Sequence, residues 1–198
     1  MTDLSTAAGP ATPVRHPSTW QRTLLRWMVS FAGYPVGGAV AILITGPVDD
    51  PRAALAGGLV TGAVLGAVQA WAMGAYRPRA ATWTLATALG LMAGLGLGAS
   101  VVDYRTGLAD LALQGALCGL LLGIAQAAVL LPRLGRLALG WPVALAATWA
   151  LGWVTSTSIG IRVEEQFTVF GSSGALVSTA LTGVLPLLLR RRAVGHAS

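Results

Sequence analysis

Six long apolar runs, separated by short polar breaks, constrain this chain more than anything else in it. A membrane-crossing helix needs about 20 mostly apolar residues. Six runs reach that length: 27–46, 53–75, 82–102, 108–131, 137–158 and 168–189. The breaks are rich in Pro, Asp and Arg, as in Pro47-Val48-Asp49-Asp50-Pro51-Arg52 and Tyr76-Arg77-Pro78-Arg79. Only 10% of residues are charged, against about 25% in a soluble domain. With 55% hydrophobic residues, a soluble fold of 198 residues has too little interior for its apolar surface. Disorder is excluded on the same ground, because disordered chains are polar. The 26 glycines do not recur at every third position, so the chain is not collagen-like. The runs also lack the alternation of outer-membrane barrel strands. The expected fold is all-α: a polytopic integral membrane protein of six transmembrane helices.

The charges orient those helices. All 13 basic residues are arginine. Ten fall in the N-terminal tail, the second and fourth loops and the C-terminal tail: Arg15, Arg22, Arg26, Arg77, Arg79, Arg133, Arg136, Arg190, Arg191 and Arg192. Three fall in the other loops: Arg52, Arg105 and Arg162. That asymmetry puts both termini in the cytoplasm, in a multi-pass protein of the inner membrane. Trp27, Tyr76, Trp83 and Trp141 sit near the cytoplasmic ends of the spans and read as interfacial anchors. Trp149 and Trp153 read as packing residues. Residues 1–23 read as a disordered cytoplasmic tail, 24–189 as the transmembrane domain and 190–198 as a basic cytoplasmic tail.

The net charge of +6 invites a nucleic-acid reading. The arginines are scattered between apolar runs, however, and form no continuous basic face. The expected partners are therefore the lipid bilayer and a second copy or another membrane protein, and no nucleic acid. The single cysteine, Cys118, excludes an intramolecular disulfide. The two histidines, His16 and His196, lie in the tails. No metal ligand set or cofactor is expected.

A duplication carries the most specific signal. The second run reads Gly58-x3-Gly62-x3-Gly66-x2-Gln69, and the fourth reads Gly115-x3-Gly119-x3-Gly123-x2-Gln126. Every element matches at one offset of 57 residues. Each copy then runs through an arginine loop to a tryptophan, Trp83 or Trp141. A weaker third copy begins at Gly174 and keeps small residues at Ser178 and Thr182, with Leu185 in the glutamine position. This predicts three helical hairpins over about 27–76, 82–131 and 137–189. The third run adds a further stripe, Gly90, Gly94 and Gly98. Small residues at every fourth position let helix backbones approach closely, and a glutamine extending the stripe is placed to bond a neighbouring helix. Pro35 and Pro186 predict kinks, and Pro142 sits in a first turn.

The pattern resembles a loose group of glycine- and alanine-rich bacterial multi-pass proteins with G-x3-G-x2-Q helices followed by arginine loops and tryptophan. The resemblance spans most of residues 53–153. It implies a fold and no activity.

Ionisable residues inside membranes mark ion and proton paths. Asp110 is the only acid within a predicted span, one turn from the outer surface and four residues before Gln114. It reads either as a hydrated first-turn acid or, with Gln114, as part of an outward polar cavity. Thr155, in Thr155-Ser156-Thr157-Ser158, and Ser173 fall at similar depth, and the run leads toward Arg162, Glu164 and Glu165. No nucleophile, base and orienting partner can be assembled. The sequence thus predicts a non-enzymatic assembly or interaction protein, with Gly58, Gly62, Gly66, Gln69, Gly115, Gly119, Gly123 and Gln126 as packing residues. The alternative is a small-solute binding or transport subunit working with an energising partner, using Asp110, Gln114, Thr155 and Ser173.

Overall fold

A computed structural model describes residues 19–160 and 169–195, and all regular structure among them is helical. The tail residues Arg15 and His16, the residues Arg162, Glu164, Glu165 and Thr168, and His196 lie outside the described residues. Eight α-helices run in order: α1 (Thr19–Val29), α2 (Gly33–Thr45), α3 (Pro51–Met73), α4 (Ala80–Val101), α5 (Leu108–Leu134), α6 (Trp141–Ser158), α7 (Ser172–Thr182) and α8 (Val184–Gly195). They form five stretches long and apolar enough to cross a membrane: Trp20–Thr45, Pro51–Tyr76, Ala80–Val101, Leu108–Ser158 and Ser172–Val194. The fourth joins α5 to α6 through a 3-10 segment, Gly135–Gly140, and turns at Gly135, whose φ of 56° is in the left-handed region.

Local chemistry sets the helix ends and corrects several expected boundaries. Asp50 caps α3: its Oδ1 accepts from the amides of Arg52 at 2.6 Å and Ala53 at 2.8 Å, with Pro51 at the first helical position. The helix therefore starts two residues before the apolar run. The stretch 19–23, expected to be disordered tail, belongs to α1, and Thr23 is buried. Arg190–Arg192, expected in a tail, lie on α8. Pro132, expected in a loop, sits inside the last turns of α5. Both expected kinks are present. A 3-10 turn, Ser30–Ala32, divides α1 from α2 just before Pro35, and Gly183 divides α7 from α8 just before Pro186.

The packed neighbours α2 and α3, α3 and α4, α4 and α5, and α5 and α6 run antiparallel, and glycine fixes how near they come. A β-carbon on Gly58, Gly62 or Gly66 would lie 2.7–2.9 Å from atoms of Leu91, Ala88 or Thr84 on α4. On α5, Gly115 faces Trp149, Gly119 faces the Leu145 carbonyl and Gly123 faces Pro142 of α6. Gly90, Gly94 and Gly98 turn the other face of α4 onto Leu122, Cys118 and Gln114 of α5. Gly33 and Gly37 do the same for α2 against Leu65 and Thr61 of α3. Gly174 of α7 meets the Gly152 carbonyl of α6. Finally α7 and α8 return to α1, where Gly183 lies beside Leu24 and Trp27. The helices thus form a closed ring. The loops after α3 and α5 gather with the start of α1 and the end of α8 at one end of it, together with most of the described arginines. Asp49, Asp50, Asp103 and Asp110 are at the other end.

Gly119→Ala should lower stability by about 1–3 kcal/mol, because its methyl drives into the Leu145 carbonyl. Gly140→Ala, with nothing within 4 Å of the added carbon, should change it by less than about 0.5 kcal/mol. Unfolding in mixed detergent micelles reads both values.

Candidate functional site

The polar groups of the core concentrate at the arginine end of the ring. Gln69 and Gln126 lie three residues beyond the last stripe glycine of α3 and α5, so the contact that buries the glycines also buries them. Trp83 stands in the first turn of α4 and Trp141 begins α6. Trp27 instead lies in the last turn of α1, just before the 3-10 segment Ser30–Ala32.

These three indoles are not interfacial anchors. Trp83, Trp27 and Trp141 are 0%, 1% and 9% exposed, whereas Trp20 and Trp71 are half exposed. Each of these three indole N–H groups donates to the helix before it around the ring. Trp83 Nε1 donates to Gln69 Oε1 at 3.3 Å, and Trp141 Nε1 donates to Gln126 Oε1 at 2.8 Å. Gln126 Nε2 donates to Thr87 Oγ1 at 3.0 Å and reaches Gln69 Oε1 at 3.5 Å. Thr87 Oγ1 in turn donates to the Trp83 carbonyl at 2.9 Å. The two repeated glutamines therefore meet, and one continuous network joins α3, α4, α5 and α6.

The third position lacks a glutamine and solves the same problem with main chain. The Gly183 amide bonds to the Ala180 carbonyl at 3.2 Å rather than to residue 179 as in a regular α-helix. That frees the Thr179 carbonyl, which accepts from Trp27 Nε1 at 3.0 Å and Thr182 Oγ1 at 3.2 Å. The kink at Gly183 thus supplies the acceptor that Leu185 cannot. Between these groups, lined by Gln69, Gln126, Trp27, Trp83, Trp141 and Thr182, lies a cavity of about 10 Å³, the scale of a single water. Beyond it the interior is filled by rings: Phe170 lies 5.3 Å from Tyr34, 5.1 Å from Trp149 and 6.1 Å from Trp153 between centroids.

The second predicted group behaves differently. Asp110 is paired with Arg105 at 3.0 Å and is a quarter exposed. Gln114 is fully buried beneath Gly98, and neither its Nε2 nor its Oε1 has a partner. Ser173 Oγ lies 3.4 Å from Ser156 Oγ, which also accepts from the Gly174 amide at 3.3 Å. Thr155 is half-buried and joins neither contact. No hydrogen bond or ion pair among the described residues links any two of Asp110, Gln114, Thr155 and Ser173. Among the described residues no group of three or more His, Cys, Asp or Glu is placed to hold a metal.

The sequence reading missed Thr87, Phe170 and the donor role of the tryptophans. The one available signal was the recurrence of tryptophan after each arginine loop, in step with the glutamines. No protein-family model, curated protein or solved structure matches the chain.

A double-mutant cycle should separate the bonds of this layer. Gln126→Leu and Trp141→Phe should couple by about 0.6–1.7 kcal/mol, the range for hydrogen bonds between membrane helices. Gln69→Leu and Gln126→Leu, joined at 3.5 Å, should couple less strongly. Additivity in the first pair would contradict the assignment.

Proposed function

We propose that the chain crosses the inner membrane six times, as three hairpins around a pseudo-threefold axis, with both termini in the cytoplasm. Support for six crossings comes from the Leu108–Ser158 stretch, 51 residues long. As one straight helix it would span about 76 Å, over twice a hydrocarbon core of about 30 Å. The antiparallel contact of α5 with α6 favours two crossings instead. Support for the threefold repeat comes from the three indole bonds, which recur after α3, after α5 and from α1 back onto α7. The arginine-rich end is read as cytoplasmic. In a chain whose Cys118 is replaced by alanine, a cysteine at Asp103 should react with a membrane-impermeant maleimide on intact cells. One at Arg136 should react only after the membrane is opened. The reverse pattern would invert the orientation.

Within that membrane frame we propose a non-enzymatic assembly or interaction protein. The observation that carries this reading is the closed interior. Both glycine stripes and the glutamine–tryptophan groups are used between helices of one chain, around a cavity of about 10 Å³. The surface left for a partner is the outer, lipid-facing one. The glycine stripes serve the chain's own packing rather than contact with a second chain.

A second reading, small-solute binding or transport, draws on buried polar atoms without partners: both amide atoms of Gln114, Trp149 Nε1 and Thr179 Oγ1. Light scattering in mild detergent, with mass analysis of water-soluble compounds released on denaturation, distinguishes the two. Assembly predicts a particle of more than one protein chain and no retained water-soluble compound. A monomer releasing one equivalent of such a compound would favour the second reading.

A further inference from the structure

On the outer face of α3 and α4, at the arginine end, lies a groove of about 750 Å³, within the size range of small-molecule sites. A row of alanines, Ala63 and Ala67 on α3 and Ala81 on α4, runs along it between the larger Leu59, Trp71 and Leu85. Its head is formed by Arg26 and Arg77. Both guanidinium groups are held in place. Arg26 Nη2 donates to the Trp71 carbonyl at 2.6 Å, and its guanidinium carbon lies 5.0 Å from the centroid of the Trp71 ring. Arg77 Nη1 donates to the Gly74 carbonyl at 2.7 Å. Each bond uses one arm of a five-donor fork and leaves others to bind an anion. Among the described residues every carboxylate lies at the opposite end of the ring, and the ion pair there, Arg105 with Asp110, involves neither of these arginines.

The chain contains its own comparison. At the offset of 57 residues, Ala63 and Ala67 correspond to Leu120 and Ile124. At the offset of 58 that carries Trp83 to Trp141, Ala81 corresponds to Leu139. At these three positions the second copy carries larger side chains, with Ile124 and Leu139 51% and 65% exposed, whereas the groove's Leu59, Trp71 and Leu85 correspond to the smaller Ala116, Ala128 and Val143. The alanine row belongs to the copy that has a pair of anchored arginines above it.

We propose that this groove binds one anionic phospholipid, its acyl chain along the alanines and its phosphate on Arg26 and Arg77. The inference rests on the membrane reading above. An arginine fork matches phosphate oxygens, and basic pockets between transmembrane helices on the cytoplasmic side select anionic headgroups. A lipid of net negative charge is preferred over a zwitterionic one, whose ammonium group offsets the attraction of the two cations.

The test is native mass spectrometry of the full chain released from mixed micelles holding equal phosphatidylglycerol and phosphatidylethanolamine. The wild type should retain one phosphatidylglycerol, preferred roughly tenfold or more. Arg26→Gln with Arg77→Gln should bring that preference close to one. Ala67→Leu with Ala81→Leu fills the groove from two exposed positions without entering the core, and should remove the retained lipid whatever its headgroup. Equal retention by the wild type and the leucine variant, or no headgroup preference in the wild type, overturns the site. Neither result touches the membrane reading, which fails separately if the chain stays dispersed without detergent.

Discussion

Main-chain contact between helices is the interaction on which the rest of this structure depends. Apolar helices in an apolar medium gain little from hiding apolar surface, so they associate through close packing and hydrogen bonds. Gly58, Gly62 and Gly66 bring α3 within reach of the α4 backbone, and Gly115, Gly119 and Gly123 do the same for α5 on α6. A second stripe on α4 faces the other way, onto α5, so that helix is clasped on two sides. Repeating this step from helix to helix turns the chain through a ring and brings its last helices back to its first.

The buried polar layer follows from that closeness. Only where backbones nearly touch can a glutamine on one helix reach an indole on the next and a glutamine two helices away. Gln126 serves three partners, Trp141, Thr87 and Gln69, and gains its place from Gly123 just upstream. The closing contact has the same logic with other atoms: a break at Gly183 exposes the Thr179 carbonyl for Trp27. A helix distortion thus takes the part that a side chain plays elsewhere, which explains how Leu185 is tolerated at the glutamine position.

Much of this was legible in the sequence because it is local or periodic. Run length marked the apolar helices, four-residue spacing marked the stripe faces, and Pro35 and Pro186 marked the kinks. The pairing of the glutamine helices with the tryptophans was not legible, because position along a helix gives depth while rotation about its axis depends on neighbours. Trp83 and Trp71 sit at similar depth, yet one is buried and the other half exposed. Helix starts were misread where a polar side chain does the capping, as Asp50 does for α3. The outward group failed for a related reason. Asp110 and Gln114 share a face by spacing, but Arg105 holds the first at the surface while Gly98 covers the second. Tail composition likewise concealed the helical turn at 19–23, of which Thr23 is buried and 20–22 are exposed.

The proposed assembly function places a partner on the outside of the ring, since the inside is consumed by holding it together. That conclusion stands or falls with ring closure, the contact between the first and last helices. The most direct measurement is an oxidative crosslink between cysteines at Leu24 and Gly183, which face each other across that seam, in a chain whose Cys118 is replaced by alanine. The account predicts rapid, intrachain disulfide formation in native membranes, and none for either cysteine alone. Absence of the crosslink in the folded protein, or its formation only between chains, would contradict a closed ring.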